Sequence, residues 1–371
     1  MSDAAYIRIA EKLAQSGQGA PTRDGRPSPA FVEFLKLIYS PEEAEVVQFL
    51  ENFPAFMTNE QVAEAAGREL SEIESILKAA HDKYALMGEL GLQSLLTIFY
   101  TLNFHNRYPD VRPGDLEAAK LYLEFFIEEK FYKNYETPAP GHPVFRVLPV
   151  GRTIEETQEV IGYEEGLNRI DSLAAETIAM VPCPCRTRTE KLGIRECQDK
   201  HPIGYCLIPG ANGEKFIRLG YGKKATKEEA KAYLSDMVDS GVVVNSDNYR
   251  EGDPLVICTC CGCCCSMTRG RTRWDNPDSM LPSNYIPRAD DSCVACGVCV
   301  ERCVYGALSI DEETERSVAD VDLCIGCGVC VAGCPTGALK LFRFDRTQTY
   351  ENLIKFAMAM IQKKAALAEE K

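Results

Sequence analysis

The chain lacks any run of 18 apolar residues, so the sequence predicts no helix that spans a bilayer. Its opening stretch, MSDAAYIRIAEKL, has neither an apolar h-region nor a twin arginine, which predicts a chain without an export signal. Basic charge is in short supply. Forty-one lysines and arginines face 55 acidic residues, a net of −14, which argues against general nucleic-acid binding. A strand-Gly-x-Gly-x-x-Gly-helix context is missing too, so Gly220-Tyr221-Gly222 reads as a flexible turn and not as a nucleotide cradle. The 371 residues leave room for two or three domains with a real apolar core.

Cysteine is what the chain has in excess, with 18 of them. A disulfide framework suits a small secreted chain, so thiols in this number point instead to a reducing, oxygen-poor cytoplasm. Eight fall into two copies of one arrangement. The first is Cys293-x2-Cys296-x2-Cys299-x3-Cys303; the second is Cys324-x2-Cys327-x2-Cys330-x3-Cys334, followed by Pro335. This is the spacing by which bacterial ferredoxins hold two 4Fe–4S cubanes, the fourth cysteine of each run ligating the other run's cluster. The expected sets are therefore Cys293, Cys296, Cys299 and Cys334 for one cluster, and Cys324, Cys327, Cys330 and Cys303 for the other. Gly297, Gly326 and Gly328 between them allow close backbone approach. Structural zinc takes four ligands, usually in two separated pairs, and needs no such paired spacing. One position departs from the pattern: Val304 follows Cys303 where the bacterial run has Pro.

The other ten cysteines lie between residues 183 and 265. Four are Cys183, Cys185, Cys197 and Cys206; six are packed into Cys258, Cys260, Cys261, Cys263, Cys264 and Cys265. Neighbouring cysteines point different ways, so the dense run cannot place six sulfurs on one metal, although Gly262 permits a kink. The simplest assignment gives the first four one cluster and four of the later six another, with exchange between the groups equally open. One or two further Fe–S clusters are expected here, zinc being the alternative. Arg186, Arg188, Arg195, Lys200 and His201 stand close in sequence to these cysteines. They read as charge compensation for anionic clusters or, for Arg186 and Arg188, as forks for an anionic cofactor or substrate. Charge supports a division of labour: residues 290–345 carry ten acidic and four basic side chains, residues 183–275 twelve acidic and fifteen basic. Basic surroundings stabilise a reduced anionic cluster and raise its potential.

The pattern predicts an α+β multidomain chain. Residues 1–30 read as an arm after one short helix, and 31–135 as a helical, winged-helix-like docking domain. Boxes at Ser40, Thr58 and Ser71 open successive helices. The third, Ser71 to Tyr84, is the would-be recognition helix, but it holds no Arg, Asn or Gln for base edges. The aromatic stripe Tyr122, Phe125, Phe126, Phe131, Tyr132 and Tyr135 reads as core. Residues 136–275 form the cysteine-rich middle domain, with Thr226 opening a helix that ends near Gly241 before the strand-like Val242-Val243-Val244. Residues 276–345 form a ferredoxin-like domain, and 346–371 a C-terminal helix packed on its own protein.

On the segments Val181–Arg186, His201–Cys206, Ile257–Cys265, Pro282–Tyr285 and both ferredoxin runs, the chain resembles a family of multi-cluster 4Fe–4S proteins of anaerobes. That resemblance implies ferredoxin-like electron carriage in the service of larger redox complexes, flavin-containing ones among them. The expectation is an electron-transfer subunit with redox-protein partners. Its rivals are a reductase acting on a small acceptor at a special middle-domain cluster, and a redox-sensing regulator.

Overall fold

The short-range signals at helix starts are honoured first. Ser40, Thr58 and Thr226 each accept a backbone N–H from the residue three ahead, and each has its own N–H bound by that residue's side chain (Glu43, Gln61 and Glu229). Two orphan amides per helix are thereby satisfied from within four residues of sequence. The computed structural model describes residues 3–83, 85–89, 91–95, 114–158 and 160–369, a mixture of helix and sheet of the α+β kind. The chain divides into two compact units.

The first unit comprises the residues up to His142, Thr187–Ile194 and the C-terminal helix Leu353–Glu369. Helix α1 (Ala4–Ala14) buries Tyr6, Ile9 and Leu13, and a turn at Gly25 joins the two-residue strands β1 (Thr22–Arg23) and β2 (Arg26–Pro27). Helices α2 (Pro29–Ile38) and α3 (Pro41–Val47) follow. Next come strand β3 (Met57–Thr58), helix α4 (Asn59–Ala66), helix α5 (Leu70–Asp82) and the antiparallel pair β4 (Met87–Glu89) and β5 (Leu92–Ser94). The three strands form one sheet in the order β3-β5-β4. Gly67, at φ 63°, ends α4 in the left-handed conformation that glycine adopts without cost. Helix α5 starts one residue before Ser71, with Glu69 as N-cap and no side-chain cap bond, so the Ser71 box is not used. Tyr84, the expected last residue of that helix, lies outside the described residues.

Helix α6 (Asp115–Leu123), a π-helical turn at Glu124–Glu128 and helix α7 (Tyr132–Glu136) carry the aromatic stripe. All six of its rings are buried. Phe125 meets Phe31 and Phe34 edge-on at 5.4 and 5.3 Å, and Tyr122 stacks on Phe126 at 4.6 Å. These are core contacts, each contributing about 1 kcal/mol beyond area burial. The C-terminal helix buries Phe356 and Met360 in the same unit, where Met360 packs at Gly17.

The second unit comprises Pro143–Arg186 and Arg195–Asn352. Its seven-stranded sheet contains β6 (Phe145–Val147), β7 (Ile178–Pro182), β8 (Tyr205–Pro209), β9 (Lys223–Ala225), β10 (Val243–Asp247), β11 (Ile257–Cys260) and β12 (Met280–Leu281). The order is β12-β6-β10-β11-β8-β7-β9, antiparallel throughout except for the β12–β6 pair. The Thr226-capped helix, Lys227–Asp239, lays Ala230, Leu234 and Val238 on Met180, Leu207, Val244 and Ile257. Burying each such aliphatic side chain contributes roughly 1.5–3 kcal/mol.

In the same unit two antiparallel strand pairs follow, β13 (Tyr285–Ala289) with β16 (Leu339–Arg343) and β14 (Leu308–Asp311) with β15 (Arg316–Ala319). The short helices Val298–Arg302 and Val329–Ala332 start at Gly297 and Gly328, both left-handed. Residues from the stretch after β6 pack on this part. Ile154 bridges Leu341, Glu155 N–H donates to the Leu341 carbonyl at 2.9 Å, and Thr153 fills the space beside Gly328. Arg343 pairs with Glu164, which also accepts from Asn284 Nδ2 at 2.7 Å. The cysteine-rich and ferredoxin-run segments thus belong to one compact body.

Candidate metal centre

Three adjacent strands deliver the thiols of the middle region. Cys183 follows β7, and its N–H donates to the Gly204 carbonyl at 2.9 Å. Cys206 lies on β8 opposite Val181. Cys258 and Cys260 lie two apart on β11, so their side chains leave the same face, while Thr259 leaves the other and meets the Tyr233 hydroxyl at 3.0 Å. Cys258 Sγ approaches Cys206 Sγ at 3.6 Å. Cys183 neighbours Cys185 and Cys206, while Cys265 neighbours Cys185 and Cys260. Six sulfurs therefore form one set: Cys183, Cys185, Cys206, Cys258, Cys260 and Cys265.

The remaining four form another. Cys197, Cys261, Cys263 and Cys264 place their sulfurs within 4.8 Å of one another. Cys197 lies 3.8 Å from both Cys261 and Cys264, and Cys263 lies 3.7 Å from Cys261 and 3.5 Å from Cys264. The simplest sequence assignment placed Cys197 with Cys183, Cys185 and Cys206; here it joins the later cysteines instead. The strand is the reason. Alternation along β11 sends Cys258 and Cys260 to one side, and the chain beyond its end carries Cys261 away.

The six-thiol set is chemically prepared for metal. Hydrogen bonds from Cys183 and Cys258 hold Cys206 below the usual thiol range, to about 6. Those from Cys258 and Cys265 hold Cys260 at about 5. The donors Cys183, Cys258 and Cys265 rise correspondingly. Thiolate is the metal-binding form, and buried sulfurs converging without a disulfide suit metal better than structure alone.

Arg186 is fully buried between the sets. Its guanidinium donates to the Ile203 carbonyl at 3.0 Å and to the Thr259 carbonyl at 2.9 Å. Burial opposes its charge, but Cys183, Cys261 and Cys260 more than compensate, so its pKa stands above that of an ordinary arginine. Arg188 goes elsewhere: its guanidinium lies 3.9 Å from the Tyr122 ring centre, in the first unit. Arg195 donates to the His201 carbonyl, and Lys200 N–H to that of Cys197 at 3.1 Å. Arg273, unmarked in the sequence reading, pairs with Glu196 next to Cys197 at 2.6 Å.

In the ferredoxin runs, Cys303, Cys324, Cys327 and Cys330 line one cavity together with Pro287 and Tyr305. Burial raises the Cys327 thiol to about 12 and also pushes Cys330 well up, the neighbouring thiols adding to both shifts. Four thiols lining one cavity are the donor set that a cubane takes. Cys293, Cys296, Cys299 and Cys334 belong to the other expected set; Cys296 is exposed and Cys334 half-buried, whereas Cys299 is buried and donates to Ser317 Oγ at 3.2 Å. Ala295 holds φ 53° where the second run has Gly326 at φ 65°, a strained position that spacing alone does not reveal.

A family model described as a 4Fe-4S dicluster domain matches residues 292–349. A search of curated proteins found no match. The dicluster match and the cysteine-rich site of the middle region make this an iron–sulfur protein of ferredoxin type, with several clusters and an electron-transfer role. Among the described residues no helix is long and apolar enough to cross a membrane.

Proposed function

We propose that the chain is an electron-transfer subunit, passing electrons between a redox-protein partner and a larger anaerobic oxidoreductase through clusters in both parts of its second unit. Bound cubanes supply one-electron chemistry. The chain's residues hold them, separate them from water and set their charge environment. The observation that carries this reading is the sharing of one compact body by the dicluster segment and the ten middle thiols. The ligands would be Cys293, Cys296, Cys299 and Cys334, then Cys303, Cys324, Cys327 and Cys330, with the six-thiol set holding a further cluster. Arg186 would compensate its charge.

The first unit would dock a partner. Its order of strand, two helices and antiparallel hairpin supports a winged-helix-like reading. DNA is a poor candidate for that partner, because α5 pairs its Lys78 with Asp82, and its Glu72 already engages Arg68. The test is electron paramagnetic resonance of anaerobically purified protein reduced with dithionite. Signals of reduced cubanes are expected, and their absence from iron-loaded protein would refute the reading.

One observation favours a second occupant at the four-thiol set. Four of its six sulfur separations are 3.5–3.8 Å and the other two no more than 4.8 Å, close to the edge of a tetrahedron built on metal–sulfur bonds of about 2.3 Å. A single ion fits Cys197, Cys261, Cys263 and Cys264 as they stand, whereas a cubane requires them to spread. Iron and zinc content distinguish the two occupants.

A further inference from the structure

The two ferredoxin runs end alike: Cys303-Val-Tyr-Gly-Ala-Leu308 and Cys334-Pro-Thr-Gly-Ala-Leu339. They differ only at the two residues after the last cysteine. In the second run these residues, Pro335 and Thr336, are exposed. In the first run Val304 is partly open to solvent and Tyr305 half-buried, and both lie against the cysteine-rich region. A Cβ on Gly262, between Cys261 and Cys263, would lie 3.2 Å from Val304 Cβ, in tight contact. Tyr305 lines the cavity ringed by Cys303, Cys324, Cys327 and Cys330. Its hydroxyl reaches inward to Met280 Sδ at 3.9 Å, the same sulfur that Thr268 Oγ1 meets at 3.8 Å, three residues beyond Cys265. Tyr305 also lies within electrostatic reach of Cys327 on the ferredoxin side and of Cys265 and Cys260 in the six-thiol set. The departure from Pro at Val304 and the ring at Tyr305 thus fall where one half of an internally repeated domain meets the second metal region.

We propose that Val304 and Tyr305 form the junction through which electrons pass between the dicluster domain and the cysteine-rich centre, leaving the half that ends in Pro335 and Thr336 for an outside partner. This inference rests on the electron-transfer reading above. The step moves one electron: the centre held by Cys303, Cys324, Cys327 and Cys330 is oxidised by one, and the centre held by the six-thiol set is reduced by one. No bond forms or breaks and no proton moves, the Tyr305 phenol staying intact while its ring and the Val304 side chain lie in the gap between the two regions.

The experiment uses the full-length, iron-loaded protein. Electrons are injected by flash photoreduction with a deazaflavin, and equilibration between the two regions is followed optically. Spin–spin interaction between the reduced centres is measured in parallel. The variant V304P/Y305T gives the first run the sequence of the second. It is expected to equilibrate several-fold more slowly and to lose spin–spin broadening, while Y305F, which keeps the ring, recovers most of the rate. If V304P/Y305T fails to load iron, Y305L alone decides. A wild-type rate in an iron-replete variant lacking the ring overturns the junction and leaves the electron-transfer reading standing. Absence of cubane signals in the wild-type protein overturns both.

Discussion

Gly326 lies so close to the Tyr285 carbonyl oxygen that a Cβ built on it would overlap that oxygen, and its φ of 65° is one an L side chain rarely adopts. The obstacle is backbone and cannot swing aside. Gly326→Ala combines a left-handed penalty of roughly 1–2 kcal/mol with a clash of at least similar size. Anaerobic denaturant unfolding should show a loss above ~2 kcal/mol. Iron analysis should show one cluster fewer, because Gly326 separates Cys324 from Cys327.

Ala295 occupies the matching position in the first run with an Ala where glycine is unstrained. Ala295→Gly should therefore stabilise the folded protein by about 0.5–1 kcal/mol, read as a higher denaturant midpoint at unchanged slope.

Arg186 tests charge compensation. Arg186→Gln removes a buried cation from among Cys183, Cys260 and Cys261. The reduced centre is the more negative state, so the middle-region potential should fall by on the order of 50–100 mV, the ferredoxin-run potentials changing much less. Redox titration monitored by paramagnetic resonance checks both.

The division of the ten thiols into six and four predicts separable losses. Cys264→Ser should remove the metal of the four-thiol set, and Cys206→Ser that of the six-thiol set. Each should leave the roughly eight irons of the dicluster domain in place. Equal loss in both variants would show that the ten thiols act as one site.

Burial lowers Lys364 to about 8, well under a free lysine, and its Nζ donates to the Ser16 carbonyl at 3.4 Å. With a folded pKa below the unfolded one, the folded state binds fewer protons between about pH 8 and 10.4. Stability should therefore rise with pH across that window and fall as pH drops through 8. Lys364→Met should flatten the profile, as thermal unfolding at several pH values would show.

What was legible in the sequence follows the range of the forces involved. The boxes at Ser40, Thr58 and Thr226 act within four residues and formed as expected. The Ser71 box failed because only Arg68 and Glu69 separate the left-handed Gly67 from α5, which starts at Leu70 before that serine is reached. Burial of the aromatic stripe was legible from its spacing. The company of Cys197 was not, since it depends on sheet register; the alternation in Cys258-Thr259-Cys260 held half the answer. Arg186 and Arg188 looked alike as a pair, yet the two reach different units, because residues two apart on a helix point in different directions.

The bridge from Ile154 to Leu341 and the pairing of Glu164 with Arg343 join stretches of chain about 180 residues apart. On a ribosome, the early stretch emerges long before its partner exists. These contacts must then wait until synthesis has passed β16, well after the seven-stranded sheet has all its strands. The ferredoxin-run part of this body is accordingly the last to close, and a chain stopped short of Leu341 would leave its thiols open and oxidisable.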